Sequence, residues 1–405
     1  MKHLILPIFT SLLLSIGLLS GQNTSTTIEG LLFTDGSPVV ITMEGGEIIR
    51  IASLPTDAVL PKVFIAPGLI DIQINGYMGV DFTGDELSLE AIRAATKALW
   101  KEGVTSFLPT IITNTHERLK HNFAQLAQAM EDPEIGKSIP GFHLEGPYIS
   151  PISGFRGAHL EKHIRPPVWT EFMEYQQAAK NGIKLVTLAP EMEGAIPFIR
   201  QLVAKDITVA LGHHNGSAST IREAVYAGAS LATHLGNGCA NMINRHHNPL
   251  WPQLSEDQLS ISLIVDGFHL TPEEVRSFHK AKGTKKTILI SDALDLAGLE
   301  PGEYIRGERK VVLTPNVIKF PAENVLAGAA SPIRLGVGNM MRFTQCSLQE
   351  AIEMASTQAA EILNLKHLGE IKAGKRADLI LFTIENGEVN IHKTIVAGEV
   401  VYSRK

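Results

Sequence analysis

Glu145, His213, His234 and Asp292 each stand where a short apolar run stops. The runs end in His143–Pro147 (His-Leu-Glu-Gly-Pro), Leu211–Asn215 (Leu-Gly-His-His-Asn), Thr233–Asn237 (Thr-His-Leu-Gly-Asn) and Ile290–Ala293 (Ile-Ser-Asp-Ala). One carboxylate and two imidazoles suit a divalent metal ion. Three protein ligands and a fourth position left for water mark a catalytic rather than a structural zinc site. A lone histidine at a strand end is more often a hydrogen-bonded structural residue, but three candidate ligands in register at one mouth reverse that balance. Asp292 is then placed to take a proton from an attacking water and pass it to a leaving amine; its structural alternative is a helix N-cap. The expected chemistry is hydrolysis, with one divalent ion, Zn2+, as cofactor.

Other residues sort around that centre. Gln73 and Asn75 are two apart near the end of an earlier run and share a strand face. Amides are poor zinc ligands, so they are expected behind the site or as vestiges of a second metal position, which argues for one ion rather than two. His214 follows His213 directly, faces the other way on a strand and reads as structural. His159 lies in Arg-Gly-Ala-His, in the loop after the run ending at Glu145. There it suits polarisation of a substrate carbonyl, with a solvated loop histidine as the plainer reading. Asn237 and Gly238 follow His234, and a glycine permits close backbone approach to a ligand. Arg245, in Asn-Arg-His-His-Asn, suits an anion. Asp266–His269 (Asp-Gly-Phe-His) ends a further run, and Leu326–Ala329 reads as a small-residue loop after the last barrel strand.

These residues need a scaffold that brings distant strand ends together. Eight strand-like runs are predicted at 64–74, 104–109, 139–145, 183–189, 207–213, 230–234, 260–265 and 287–292. Helical stretches fall between and after them at 88–102, 115–130, 167–181, 195–204, 218–227, 271–282, 333–344 and 347–363. Eight strand–helix alternations imply a closed parallel (β/α)8 TIM-type barrel, whose chemistry sits at the C-terminal mouth. A doubly wound open sheet is the alternative, weakened because no Gly-rich dinucleotide fingerprint follows the first strand. Residues 27–66 and 367–402 read as short strands with turns, so both chain ends are expected to build one small β-sandwich domain beside a barrel of residues 67–366.

The chain has 405 residues, a net charge of −6 and two cysteines, Cys239 and Cys346. A weakly acidic chain without a Lys/Arg block gives no support for nucleic-acid binding. Two cysteines are too few for a disulfide framework. At the N-terminus, Lys2 and His3 precede an almost wholly apolar or small run from Leu4 to Leu19, followed by Ser20, Gly21 and Gln22. This is the layout of a signal peptide over residues 1–21, implying export; an uncleaved membrane anchor is the alternative. No other stretch is apolar enough to span a bilayer.

Taken together the motifs resemble the N-acetylglucosamine-6-phosphate deacetylases of the amidohydrolase superfamily. Pro67–Gly76 (Pro-Gly-Leu-Ile-Asp-Ile-Gln-Ile-Asn-Gly) and the motifs above occur in the family's order, and Gly374–Leu379 (Gly-Lys-Arg-Ala-Asp-Leu) resembles the strand that rejoins the small β-domain. The resemblance implies metal binding by Glu145, His213 and His234, and proton transfer by Asp292. It implies a sugar site lined by Ala158, His159, Asn237, Gly238, Arg245, Asp266, Gly267, Phe268, His269, Leu326, Ala327 and Gly328. It also implies a homodimer acting on a small N-acetylated amino sugar. Gly238–Leu250 matches the family only loosely. Export sits uneasily with a sugar 6-phosphate, a cytoplasmic metabolite, so an unphosphorylated N-acetylated sugar stays open. Two other functions stay open as well: an amidohydrolase for N-acyl amino acids or cyclic amides, against which the amides at 73 and 75 argue, and a secreted binding protein that has lost catalysis.

Overall fold

The computed structural model describes residues 25–55 and 58–404, so the expected leader lies outside the described residues. Eight parallel strands form the main sheet: Leu69–Ile74, Val104–Ile112, Phe142–Glu145, Ile183–Leu188, Thr208–Leu211, Leu231–Ala232, Ser260–Ile264 and Thr287–Ile290, each beside the next in sequence. The first and eighth strands meet at the C-terminal mouth, where the Asp292 N–H donates to the Gln73 carbonyl (2.9 Å) and the Asn75 N–H to the Ala293 carbonyl (2.8 Å). Ile70, Leu108, Leu185, Ala210, Ile264 and Ile288 come from strands all around this ring yet pack into one cluster, as inward-facing side chains of a barrel do. The expected (β/α)8 barrel is therefore the architecture.

Helices begin at polar caps legible in the sequence. Ser88 and Thr115 accept the N–H of Ala91 and Arg118, and Thr271 forms a capping box with Glu274. Two details depart from expectation. A short helix, Leu250–Ser255, follows the sixth strand. The stretch expected as one helix over 347–363 is two, Leu348–Met354 and Thr357–Ile362; between them the Ala355 carbonyl turns away to accept the Ile70 N–H of the first barrel strand at 2.8 Å.

Both chain ends enter a single seven-stranded sheet. Its seam is Phe64–Pro67, which pairs in parallel with Thr26–Leu32 and antiparallel with Leu379–Glu385. The run read as one barrel strand from Phe64 to Ile74 is thus two strands in different sheets. They break at Gly68, where a Cβ would lie 2.1 Å from Thr105 Oγ1.

A second correction concerns the segment after the eighth strand. Leu326–Ala329 is not a loop. It belongs to the last strand of a four-stranded antiparallel sheet, Gly302–Arg306, Arg309–Leu313, Val317–Phe320 and Val325–Ala329, inserted before the helix Ile333–Thr344. Leu294, Val311, Ile318, Phe320 and Ala327 form its own small core. Among the described residues no helix is long and apolar enough to cross a membrane.

Candidate active site

Glu145 is the last residue of the third barrel strand. His213, His234 and Asp292 each lie two residues beyond the fifth, sixth and eighth strands. All three of the latter have left-handed backbones, with φ of 50°, 32° and 50°. Non-glycine residues rarely adopt that region, and they cluster there at functional sites. The turn points each side chain over the barrel mouth rather than along the strand.

The three expected ligands converge. His234 Nε2 lies 3.0 Å from Glu145 Oε1 and 3.0 Å from His213 Nε2, and His213 Nε2 lies 3.3 Å from Glu145 Oε1. All three side chains are buried. Ligands held tetrahedrally at about 2.0–2.1 Å from zinc are separated by roughly 3.3 Å, so the trio has about the spacing of one cation's coordination shell. Two imidazole nitrogens that face each other this closely repel through their lone pairs unless a proton or a cation lies between them. Burial alone would push the Glu145 carboxyl up and the His234 imidazole down. Contact with His213 and then His234 overrides burial at Glu145 and holds it well below the carboxylate range, and contact with Glu145 overrides burial at His234 and raises it. The centre therefore favours a positive charge, as a divalent ion would supply. The His213 ring is oriented to present a lone pair to such an ion. Its Nδ1 lies 3.0 Å from the Phe155 carbonyl, so Nδ1–H donates there and the Nε2 lone pair points inward. The ring sits between Gly157 and Gly238, where an added Cβ would lie 2.8 Å from ring atoms.

Gln73 and Asn75 lie behind this centre as hydrogen-bond donors. Gln73 Nε2 donates to Glu145 Oε1 (2.9 Å) and Asp292 Oδ1 (3.3 Å), and Asn75 Nδ2 donates to Asp292 Oδ1 (2.7 Å). Burial, and next the Glu145 charge, push the Asp292 carboxyl up to about 6. His159 Nδ1 meets Thr113 Oγ1 at 2.8 Å, and its ring stands edge-on to His213 with centroids 4.4 Å apart. Burial, and next His213, push its imidazole down to about 3, so it is neutral.

These groups open into a cavity of about 450 Å³, of a size that takes a small organic ligand. Ala158, His159, Asn237, Gly238, Phe268, His269, Leu326, Ala327 and Gly328 line it. Asp266 lies outside the lining but holds His269, Oδ2 to Nδ1 at 2.7 Å. Gly267 is also outside the lining and packs near Phe343. Arg245 is exposed and away from the cavity, its carbonyl accepting Trp251 Nε1–H at 2.8 Å. His214 stays off the metal trio, its Nδ1 accepting the Gly216 N–H.

Sequence reasoning missed what the inserted sheet contributes. Arg306 and Phe320 also line the cavity. Arg306 pairs with Asp81 (2.6 Å) and Asp295 (3.0 Å), tying the insertion to the segments that follow the first and eighth barrel strands. Arg309 donates to the Ala158 carbonyl (3.1 Å) and stacks its guanidinium over Phe320. Alternating residues between turns at Arg306–Arg309 and Thr314–Asn316 were the available signal.

Comparison with known proteins agrees with this geometry. The family model described as the amidohydrolase family matches residues 64–401. The N-acetylglucosamine-6-phosphate deacetylase of Bacillus subtilis is 33% identical over 355 residues, 87% of this chain and 86% of that one. The enzyme of the same name from Vibrio furnissii is 32% identical over 90% of each chain. A crystal structure of N-acetylglucosamine-6-phosphate deacetylase from Thermotoga maritima superposes with a TM-score of 0.83 at 30% identity, covering 94% of this chain and 100% of that one.

Proposed function

The chain belongs to the amidohydrolase family and, within it, to the N-acetylglucosamine-6-phosphate deacetylases, and from that membership we propose that it hydrolyses the N-acetyl amide of an amino sugar to the amine and acetate. The substrate is N-acetylglucosamine 6-phosphate or its unphosphorylated counterpart. The observation that carries the reading is the convergence of Glu145, His213 and His234 beside Asp292 at the floor of a ligand-sized cavity.

Glu145, His213 and His234 would hold the divalent metal ion, zinc by the nitrogen and oxygen donor set. When bound, that ion supplies Lewis acidity and renders water acidic enough to attack an amide near neutral pH. Asp292 supplies the proton transfers. Its Oδ1 is held by the two amides of Gln73 and Asn75, so Oδ2 is the oxygen left to accept a proton from the attacking water and return it to the departing amine nitrogen. Neutral His159 donates to the carbonyl oxygen as negative charge develops there. The inserted sheet contributes Arg306, Phe320 and Leu326 to the cavity wall.

We further propose that residues 1–21 act as an export leader and that the protein is a homodimer, readings that rest on the N-terminal sequence and on family resemblance. An exported enzyme would meet few sugar phosphates, so the decisive assay measures acetate release by zinc-loaded mature protein from N-acetylglucosamine with and without its 6-phosphate. N-acyl amino acids and hydantoins are run alongside. Turnover of either sugar with none of the others supports the reading; zinc-loaded protein that cleaves neither sugar overturns it. Mass spectrometry of the mature N-terminus tests the leader, and light scattering tests the dimer.

A further inference from the structure

His159 is buried, and the fold has to choose which of its two ring nitrogens carries the proton. A neutral imidazole is a donor at one nitrogen and an acceptor at the other. Among the described residues, the only hydrogen-bond partner of the His159 ring is Thr113 Oγ1, 2.8 Å from Nδ1, and the only partner of the Thr113 hydroxyl is that same nitrogen. Thr113 follows the second barrel strand and is itself buried. A buried hydroxyl hydrogen with one neighbouring acceptor points at that acceptor, because leaving it unmatched forfeits its hydrogen bond after water has been stripped from it. If Nδ1 carried the ring proton, it would spend that proton on the Thr113 oxygen and strand the hydroxyl hydrogen. If Nδ1 is the acceptor, both groups are satisfied and Nε2–H remains free on a ring that lines the cavity.

The surroundings keep this contact in place. The Ala158 carbonyl is held by Arg309, and the His159 N–H donates to the Arg156 carbonyl at 3.2 Å. Gly146, next to Glu145, leaves the room that the hydroxyl occupies: a Cβ there would lie 2.2 Å from Thr113 Oγ1.

We propose that Thr113 is a positioning residue that selects the Nε2–H tautomer of His159, by donating its hydroxyl proton to Nδ1 so that the cavity-facing nitrogen is the donor for the substrate carbonyl. The inference deepens the deacetylase reading and rests on it for the identity of the acceptor, but the tautomer itself is a property of the free protein.

The test uses full-length mature protein, zinc-loaded, with 15N-labelled histidine. The His159 signals are assigned by their loss in His159→Gln. In the wild type, Nε2 gives the protonated shift and Nδ1 the acceptor shift. In Thr113→Val the two average or exchange places, kcat falls about tenfold to a hundredfold, KM stays within about twofold, and zinc content is unchanged. Thr113→Ser restores both the 15N pattern and kcat. Protonated Nδ1 in the wild type overturns the proposal, as does Thr113→Val with wild-type kcat and 15N pattern. So does failure of Thr113→Ser to rescue while its fold and zinc content are intact. Absence of any sugar deacetylase activity with the expected 15N pattern would instead overturn the proposed function.

Discussion

Asn75 Nδ2 lies 2.7 Å from Asp292 Oδ1, a contact between two residues 217 apart in sequence. It exists because the first and eighth strands meet at the barrel mouth, and it decides which oxygen of Asp292 is free for chemistry. The remaining donor, Gln73 Nε2, is farther away at 3.3 Å.

Asn75→Leu is therefore expected to lower kcat about tenfold, the scale of one hydrogen bond to a charged group. KM and metal content should change little, because Asn75 touches none of the three metal ligands. Steady-state kinetics with metal analysis checks this; an unchanged kcat would show that Gln73 alone suffices to hold the carboxylate.

Removing the cation should unmask the repulsion within the ligand trio. Chelator-treated protein is expected to lose activity and to melt several degrees lower, since a ligand at about a thousand times its Kd stabilises by about 4 kcal/mol. Added divalent metal should restore both. Glu145→Gln should bind metal weakly enough that elemental analysis finds well under one equivalent.

Gly238 sits at φ 59° with the His213 ring where a side chain would go, so Gly238→Ala meets two penalties. The added methyl would lie 2.8 Å from His213 Nδ1, the nitrogen that bonds the Phe155 carbonyl. The expected result is a metal affinity lower by about tenfold or more, from disturbance of a ligand's supporting hydrogen bond. Titration against a competing chelator measures it.

His143 predicts a pH dependence of stability. It is buried between Thr110 and Thr187, and burial pushes its imidazole down from 6.5 to about 4. Between those values the unfolded chain binds a proton that the folded one excludes, so stability falls as pH drops from 6.5 to 4. The slope is about 1.4 kcal/mol per pH unit for one such group. Asp71 and Asp292, pushed up by burial to about 7 and about 6, act with the opposite sign over the same range. The comparison must therefore be with His143→Gln. The stability advantage of the wild type over that variant should shrink as pH falls through this window, in denaturant titrations of the metal-free protein. A constant difference would show that His143 is charged in the folded state or reached by water.

Eight strand runs and most helices were legible locally, because apolar periodicity and capping residues such as Ser88, Thr115 and Thr271 act over a few positions. The short helix at Leu250–Ser255 and the break at Ala355 were not. The latter depends on a carbonyl reaching the backbone of Ile70, a partner that no local window contains. The split of the run from Phe64 to Ile74 had the same cause. Its residue types are uniformly strand-like, and only the pairing with Leu379–Glu385 assigns its first half to the other sheet.

Residue types and their places at strand ends were enough to name the metal trio and Asp292 as candidates, since a carboxylate or imidazole that interrupts an apolar run has to leave the barrel wall. Which atoms face which was beyond that reading. Closure of the ring brings Gln73 and Asn75 to Asp292, sets His159 against Thr113, and leaves Arg245 outside the cavity while Arg306 enters it. Those relations join residues scores to hundreds of positions apart. They follow from how strands register and loops pack in three dimensions, which the order of side chains along the chain constrains only through the whole fold.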